Sequence, residues 1–82
     1  MQLEIITPDK TLFDGKAKLV QLPGTDGSFE ILENHAPIIS TLKKGKIKIV
    51  TENNQIETIE VNSGVVEMMN NKVIILAEPS AN

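Results

Sequence analysis

Turn-forming residues recur along this chain at intervals of roughly 8–12 residues and separate short segments of alternating apolar and polar side chains. The segment Lys46-Ile47-Lys48-Ile49 alternates strictly, as a strand does when only one of its faces is buried. This pattern predicts an all-β fold, a small antiparallel two-sheet β-sandwich of about eight strands. The turns are predicted at Pro8-Asp9-Lys10, Pro23-Gly24 with Asp26-Gly27, Asn53-Asn54, Asn62-Ser63-Gly64 and Asn70-Asn71.

Within this frame, the first long strand should consist of Thr11–Phe13 and Lys16–Leu22, with a bulge or bend at Asp14-Gly15. In the strand after Asn53-Asn54 the apolar side chains do not share one face, because Ile56 has an even number and Ile59 an odd one. A bulge near Glu57-Thr58 would reconcile the two.

Two later segments are also informative. Val73–Ala77 is apolar on both faces and is predicted to be a central strand. Ala36–Gly45 fits either a short helix, capped by Asn34, or a strand. The β-branched residues between Ile38 and Thr41 favour a strand.

The length of 82 residues allows one domain, predicted over residues 1–78, with a flexible polar tail at 79–82. Hydrophobic residues make up 40% of the chain, but it has only two Phe and no Trp or Tyr, so the core should be aliphatic. The net charge of −3 and the scarcity of aromatic side chains argue against nucleic-acid binding.

The sequence contains few residues that could support catalysis. His35 is the only histidine, no nucleophile elbow accompanies it, and Ser28 or Ser40 could reach it only by folding that the sequence does not predict. One His and no Cys leave no metal site, and no cofactor is expected. Glu30 and Glu33 are expected to be two solvated charges because their odd spacing places them on opposite faces of a strand. The expected protein is therefore a binding or structural module, with a His35-dependent hydrolase as a distant alternative.

The sequence resembles the amino-terminal domain of the epsilon subunit of F-type ATP synthases. The resemblance lies in LEIITPDKTLFDG (Leu3 to Gly15), VQLPGTDGSFEILENHAPIISTLKKGKIKI (Val20 to Ile49) and VNSGVVEMMNNKVIILAE (Val61 to Glu78). Its most specific elements are Pro23-Gly24 with Asp26-Gly27, and Asn34-His35-Ala36-Pro37.

The resemblance implies a non-catalytic central-stalk (rotor) subunit that couples the gamma subunit to the membrane c-ring of a proton-translocating ATP synthase. It also implies a peripheral location at the cytoplasmic face of the bacterial inner membrane, with membrane association only through the complex and no nucleotide site. The c-ring contact would comprise Gly24, Thr25, Asp26, Gly27 and Ser28. The gamma-subunit contact would comprise His35, Ala36, Pro37, Ile38, Ser40 and Leu42.

The sequence departs from the family in two ways. Typical bacterial members continue into a helical hairpin that carries a brake on ATP hydrolysis, whereas this sequence stops at Asn82, and a naturally short form is expected. Glu30 and Glu33 stand where Gly and Pro are commoner, so this loop is expected to be more acidic and less rigid. A free-standing β-sandwich adapter with an unrelated soluble partner remains the alternative function.

Overall fold

The computed structural model describes residues 1–80, which form seven β-strands without a helix. The predicted all-β class is confirmed, and the segment that fitted either helix or strand is a strand. The strands are β1 (Gln2–Ile6), β2 (Thr11–Gly24), β3 (Gly27–Leu32), β4 (Ile38–Leu42), β5 (Gly45–Thr51), β6 (Ile56–Met69) and β7 (Lys72–Pro79).

Two layers share the long strands β2 and β6. In the first layer, β4 pairs with the second half of β6, followed by β7, β1 and the first half of β2. In the second layer, the first half of β6 pairs with β5, followed by the second half of β2 and β3. Every pair is antiparallel except β1 with β7, which is parallel.

The bulges do not lie where the sequence predicted them, and those at Lys18 and Asn62 lie where the long strands change layer. Strand β2 has extra residues at Leu12, opposite β1, and at Lys18, opposite β5. Strand β6 has one at Asn62, opposite β7, and runs straight through the turn predicted at Asn62-Ser63-Gly64. The predicted bulges at Asp14-Gly15 and Glu57-Thr58 are wrong, since the pairing is regular at both.

The phase change in β6 follows from its bulge. Before Asn62 the inward side chains have odd numbers, as at Val61, and after it they have even numbers, as at Val66 and Met68. An extra residue reverses which face of a strand each later side chain occupies. No bulge separates Ile56 from Val61, so Ile56 lies on the outward face and is exposed.

The core between the layers is aliphatic, as predicted, and contains no buried polar side chain among the described residues. The largest fully buried side chains are Leu3, Ile5, Leu22, Ile31, Ile47, Ile49, Met68, Ile75, Val20, Val61, Val66 and Val73. They come from six of the seven strands, and the remaining strand, β4, contributes Leu42 to the same core.

The two Asn-Asn hairpins form as predicted. Asn70 and Asn71 have φ of 53° and 60°, the pair of positive values that a type I′ turn requires. Of the predicted tail at 79–82, Pro79 belongs to β7 and pairs with Val61, and Ser80 follows the strand. Residues 81 and 82 lie outside the described residues.

Candidate partner-binding surfaces

The five residues expected to contact the c-ring form the hairpin between β2 and β3, here called the Thr25 turn (Gly24–Ser28). It is fixed to the end of β4 and to the residue that follows that strand by three hydrogen bonds. The Thr25 amide donates to the Thr41 carbonyl (3.1 Å) and the Lys43 amide to the Pro23 carbonyl (2.8 Å). The hydroxyls of Thr25 and Thr41 share a third bond of 2.9 Å. The turn therefore projects as a braced corner, with Asp26 exposed at its tip.

Both glycines of the Thr25 turn have a physical role. A Cβ on Gly24 would lie 2.6 Å from the Gly27 carbonyl oxygen and 2.7 Å from a ring carbon of Phe29, so only glycine fits there. Gly27 has open space around it but a φ of 134°, which other residues rarely adopt. Gly24 is buried, so the surface that this turn offers to a partner consists of Thr25, Asp26, Gly27 and Ser28.

The second candidate surface begins at the other end of β3, about 20 Å away for a six-residue strand. Here residues 33–37, called the His35 loop, are all exposed. The loop starts with a turn in which the His35 amide donates to the Leu32 carbonyl (3.1 Å). The Nδ1 atom of His35 lies 2.7 Å from the Ala36 carbonyl, so this ring is held locally.

Glu33 is more than the solvated charge that the sequence predicted. Its carboxylate accepts a hydrogen bond from the terminal amine of Met1 and another from the Asn71 side chain at 3.4 Å. These two bonds, together with the charges of the amine and Lys16, hold the pKa of the Glu33 carboxyl below its ordinary value. The His35 loop is thereby connected to both β1 and the β6–β7 turn.

Strand β4 carries the rest of the expected gamma contact, and its two faces differ sharply. Leu42 is only 3% exposed and belongs to the core, while Ile38 and Ser40 lie on the same inward face and are half-buried. Ile39 and Thr41 face outwards, and Ile39 is 72% exposed. The expected gamma contact stays a prediction, but within it the Leu42 side chain is buried, whereas Ile39, which was not predicted, presents its side chain at the surface.

The sequence contained part of the signal for Ile39. Ile38 and Ile39 are adjacent, so they point to opposite faces of a strand and one of them must face outwards. Leu42 has the same parity as Ile38, and two inward apolar residues would have identified Ile39 as the exposed one. That inference requires Leu42 to be buried, which the sequence alone does not establish.

Ile39 belongs to a larger exposed apolar area on the outer face of the first layer, called the outer patch (Ile39, Val65, Ile74 and Leu76, with Glu67). The strand register places Ile39, Glu67 and Ile74 in one row across β4, β6 and β7. Thr41, Val65 and Leu76 form the next row. The same residues line a shallow depression in this face. Clustered exposed aliphatic side chains of this kind mark interaction surfaces more often than isolated ones.

The free edge of β4 adjoins the outer patch. β4 pairs with β6 along its length, but with β2 only at Leu42, opposite Gly24. Its sequence, IISTL, has no charged residue, whereas β3 at the other layer's edge carries Glu30. Charges on edge strands discourage pairing with other chains, so this edge is the less protected of the two.

The described residues offer no arrangement suited to catalysis by His35. The Ser40 hydroxyl is directed to the carbonyl of Thr41 (3.4 Å), and Ser28 lies at the opposite end of β3 from the His35 loop. Among residues 1–80 no group of three His, Asp or Glu side chains is placed to hold a metal ion. Over the same range, no helix has the length and apolar character needed to cross a membrane.

Comparisons with known proteins agree on one family. The family model for the ATP synthase delta/epsilon chain β-sandwich domain matches residues 1–81. The ATP synthase epsilon chain of Sulfurimonas denitrificans is 41% identical over 78 residues, which are 95% of this chain and 60% of that relative. The ATP synthase epsilon chain of Chlorobium limicola is 36% identical over 77 residues, 94% of this chain and 88% of the relative. The chain thus spans less than two thirds of the first relative's length but most of the second's.

Solved structures show the same fold at low sequence identity. A chain in the Euglena gracilis mitochondrial ATP synthase (OSCP/F1/c-ring) matches 92% of this chain with a TM-score of 0.81 and 15% identity, over 48% of its own length. A chain in the central stalk and c-ring of the Tetrahymena thermophila mitochondrial ATP synthase matches 95% with a TM-score of 0.77 and 21% identity, over 63% of its own length.

Proposed function

Because this chain belongs to the ATP synthase delta/epsilon chain β-sandwich family, we propose that it is a non-catalytic central-stalk subunit of a proton-translocating ATP synthase. In this role it couples the gamma subunit to the membrane c-ring and lies at the cytoplasmic face of the bacterial inner membrane. The observation that carries the proposal, beyond family membership, is the placement of two dissimilar surfaces at opposite ends of β3. One is a charged, braced corner, and the other is an exposed loop beside an apolar face.

The Thr25 turn is the proposed c-ring contact. A ring of membrane proteins presents polar loops to the cytoplasm, and a hairpin tip with an exposed carboxylate and free backbone groups can hydrogen-bond to such loops. The bonds from Thr25 to Thr41 and from Lys43 to Pro23 keep the tip rigid, so little conformational entropy is lost when it docks. Asp26 is the charged group at the tip, and its proposed partner is a basic or amide group of the ring.

The His35 loop, with Ile39 and the outer patch, is the proposed gamma contact. Exposed aliphatic side chains supply most of the favourable free energy of docking, through removal of apolar surface from water. Glu67 lies within the patch and needs a hydrogen-bonding or basic partner when it is covered, because a buried unpaired carboxylate is costly. That requirement would help the patch to distinguish its partner from other apolar surfaces.

The proposed contribution is mechanical. While the ring turns, the domain must hold both contacts at a fixed separation, and the paired strands between them supply that stiffness. No proton transfer or nucleotide binding by this chain is required, because catalysis takes place in other subunits.

A reconstitution experiment tests the proposal. The purified chain is titrated with the purified gamma subunit of the same organism, and separately with its detergent-solubilised c-ring, by isothermal titration calorimetry. Saturable binding to gamma, and recovery of gamma and ring subunits with the tagged chain from native membranes, are the expected results. Failure to bind gamma, with recovery only of unrelated soluble proteins, would overturn the proposal in favour of the adapter function.

A further inference from the structure

We propose that Asn71 is a positioning residue for the gamma contact: its side chain holds the His35 loop in the shape that the partner binds. The inference rests on the proposed function of that loop. Asn71 itself lies in the turn between β6 and β7, outside the residues that the sequence assigned to either partner.

The contacts of Asn71 join three separate parts of the chain. Its Oδ1 atom accepts a hydrogen bond from the Asn34 amide at 2.8 Å, across a sequence separation of 37 residues. Its Nδ2 group donates to the Glu33 carboxylate at 3.4 Å. Its own carbonyl accepts a bond from the Gln2 amide at 3.1 Å, which fixes the turn to β1. One side chain thus ties two consecutive residues of the His35 loop to the sheet.

The loop needs such a tie because its own conformation is strained. The turn Leu32–His35 closes with the bond from the His35 amide, and Asn34 occupies its third position with a φ of 60°. A positive φ at that position and not at the preceding one is the geometry of a type II turn, which favours glycine there. Asn34 tolerates this conformation at some cost, and the bond that its amide donates to Asn71 offsets that cost.

No core packing stabilises the loop, since residues 33–37 are all exposed. Its shape therefore depends on few hydrogen bonds, and loss of one of them should populate other conformations. A partner that binds only the ordered form must then order the loop as it binds, and the free-energy cost of that ordering lowers its apparent affinity.

The chain offers a matched pair of variants for the test. Asn71→Gly removes the side chain but keeps the positive φ of the turn, because glycine adopts it without strain. Asn70→Gly makes the same change at the neighbouring residue, whose φ is 53° and whose side chain has no part in the contacts described above. N71G removes the bond to Asn34 and the longer one to Glu33. We expect gamma affinity to fall at least about fivefold, the net worth of the shorter bond, and amide exchange at Asn34 to rise by a similar factor. N70G should match the unmodified chain in both measurements.

A rescue variant separates positioning from general loss of stability. Glu33 occupies the second position of the turn, where proline fixes φ at the value that a type II turn requires. Because Glu33→Pro also removes the bond from the Met1 amine, Glu33→Pro alone is the reference. Adding N71G to it should lower gamma affinity by less than about twofold, since proline orders the turn by a different route.

The outcomes are distinguishable. If the unmodified chain binds gamma and N71G binds equally well, or if Asn34 exchange is unchanged, the positioning role of Asn71 is wrong while the proposed function stands. If the unmodified chain does not bind gamma, the proposed function fails, and no contact remains for Asn71 to position.

Discussion

Ile39 and Leu42 lie three positions apart on β4 and point to opposite sides of the sheet, one 72% exposed and the other 3%. Their alternation divides this strand into a face that holds the domain together and a face available to a partner. The two residues are therefore expected to respond differently to substitution although they share one short strand, and the first two predictions use this difference.

Replacement of Ile39 by serine should weaken gamma binding about tenfold or more, because an exposed aliphatic anchor of the outer patch is lost. Stability should change by less than about 0.5 kcal/mol, as is usual for an exposed position. Ile56→Ser is the matched control: its side chain is 62% exposed on the outer face of the other layer. Calorimetric titration with gamma measures the effect, and an equal loss in both variants would contradict a docking role for the outer patch.

Replacement of Leu42 by alanine should instead lower the free energy of unfolding by about 2–5 kcal/mol, through lost burial and the cavity that remains. The affinity of the folded fraction for gamma should be unchanged, since Leu42 does not reach the surface. Ile39→Ala on the same strand serves as the control and should leave urea unfolding nearly unaltered. A stable L42A chain that fails to bind gamma would restore Leu42 as a contact residue.

Asp26 is predicted to contribute to c-ring association through an exposed charge. Asp26→Ala should weaken that association by at most about fivefold and reduce its salt dependence, because exposed ion pairs are weak and screened. Glu30→Ala removes the same charge from the neighbouring strand, outside the Thr25 turn, and should have less effect. If binding measured between low and high salt is the same for D26A and the unmodified chain, Asp26 has no ionic partner in the ring.

Acid should release the contacts of Glu33. The pKa of this carboxyl is lowered in the folded chain, so its contribution to stability is complete above the ordinary pKa and is lost as pH falls through the folded value. We expect the unmodified chain to have a higher Tm than Glu33→Gln at neutral pH, and the gap to close as pH falls below about 4. Thermal unfolding monitored by circular dichroism from pH 7 to pH 3 measures this. A gap that stays constant across the range would show that the ionised carboxylate contributes nothing.

The sequence predicted the individual strands well, but it did not predict the bulges at which two of them pass from one layer to the other. Local alternation was enough to place Ile47 and Ile49 on one buried face and to identify the turn at Asn70-Asn71, because both depend on neighbouring residues. The bulges at Lys18 and Asn62 depend instead on where a strand leaves one partner for another. That choice is made by non-local packing, which alternation along one strand does not record.

The candidate surfaces show the same difference: features set by neighbouring residues were predicted, and those set by distant residues were not. The Thr25 turn was identifiable because the glycine and proline residues that shape it are adjacent in sequence. The contacts of Asn71 with the His35 loop were not, because they join residues 37 apart through side chains that carry no motif. Ile39 was missed because the sequence does not show which face of β4 packs inwards, the face that carries Leu42.

Strands β2 and β6 each run without interruption from one layer into the other. In a sandwich of two separate sheets, a sideways load is resisted only by the packing of apolar side chains, which can slip past one another. Here such slippage would have to stretch covalent backbone at two corners. A torque applied at either end of the domain should therefore rotate the whole domain, with little elastic deformation between its two layers.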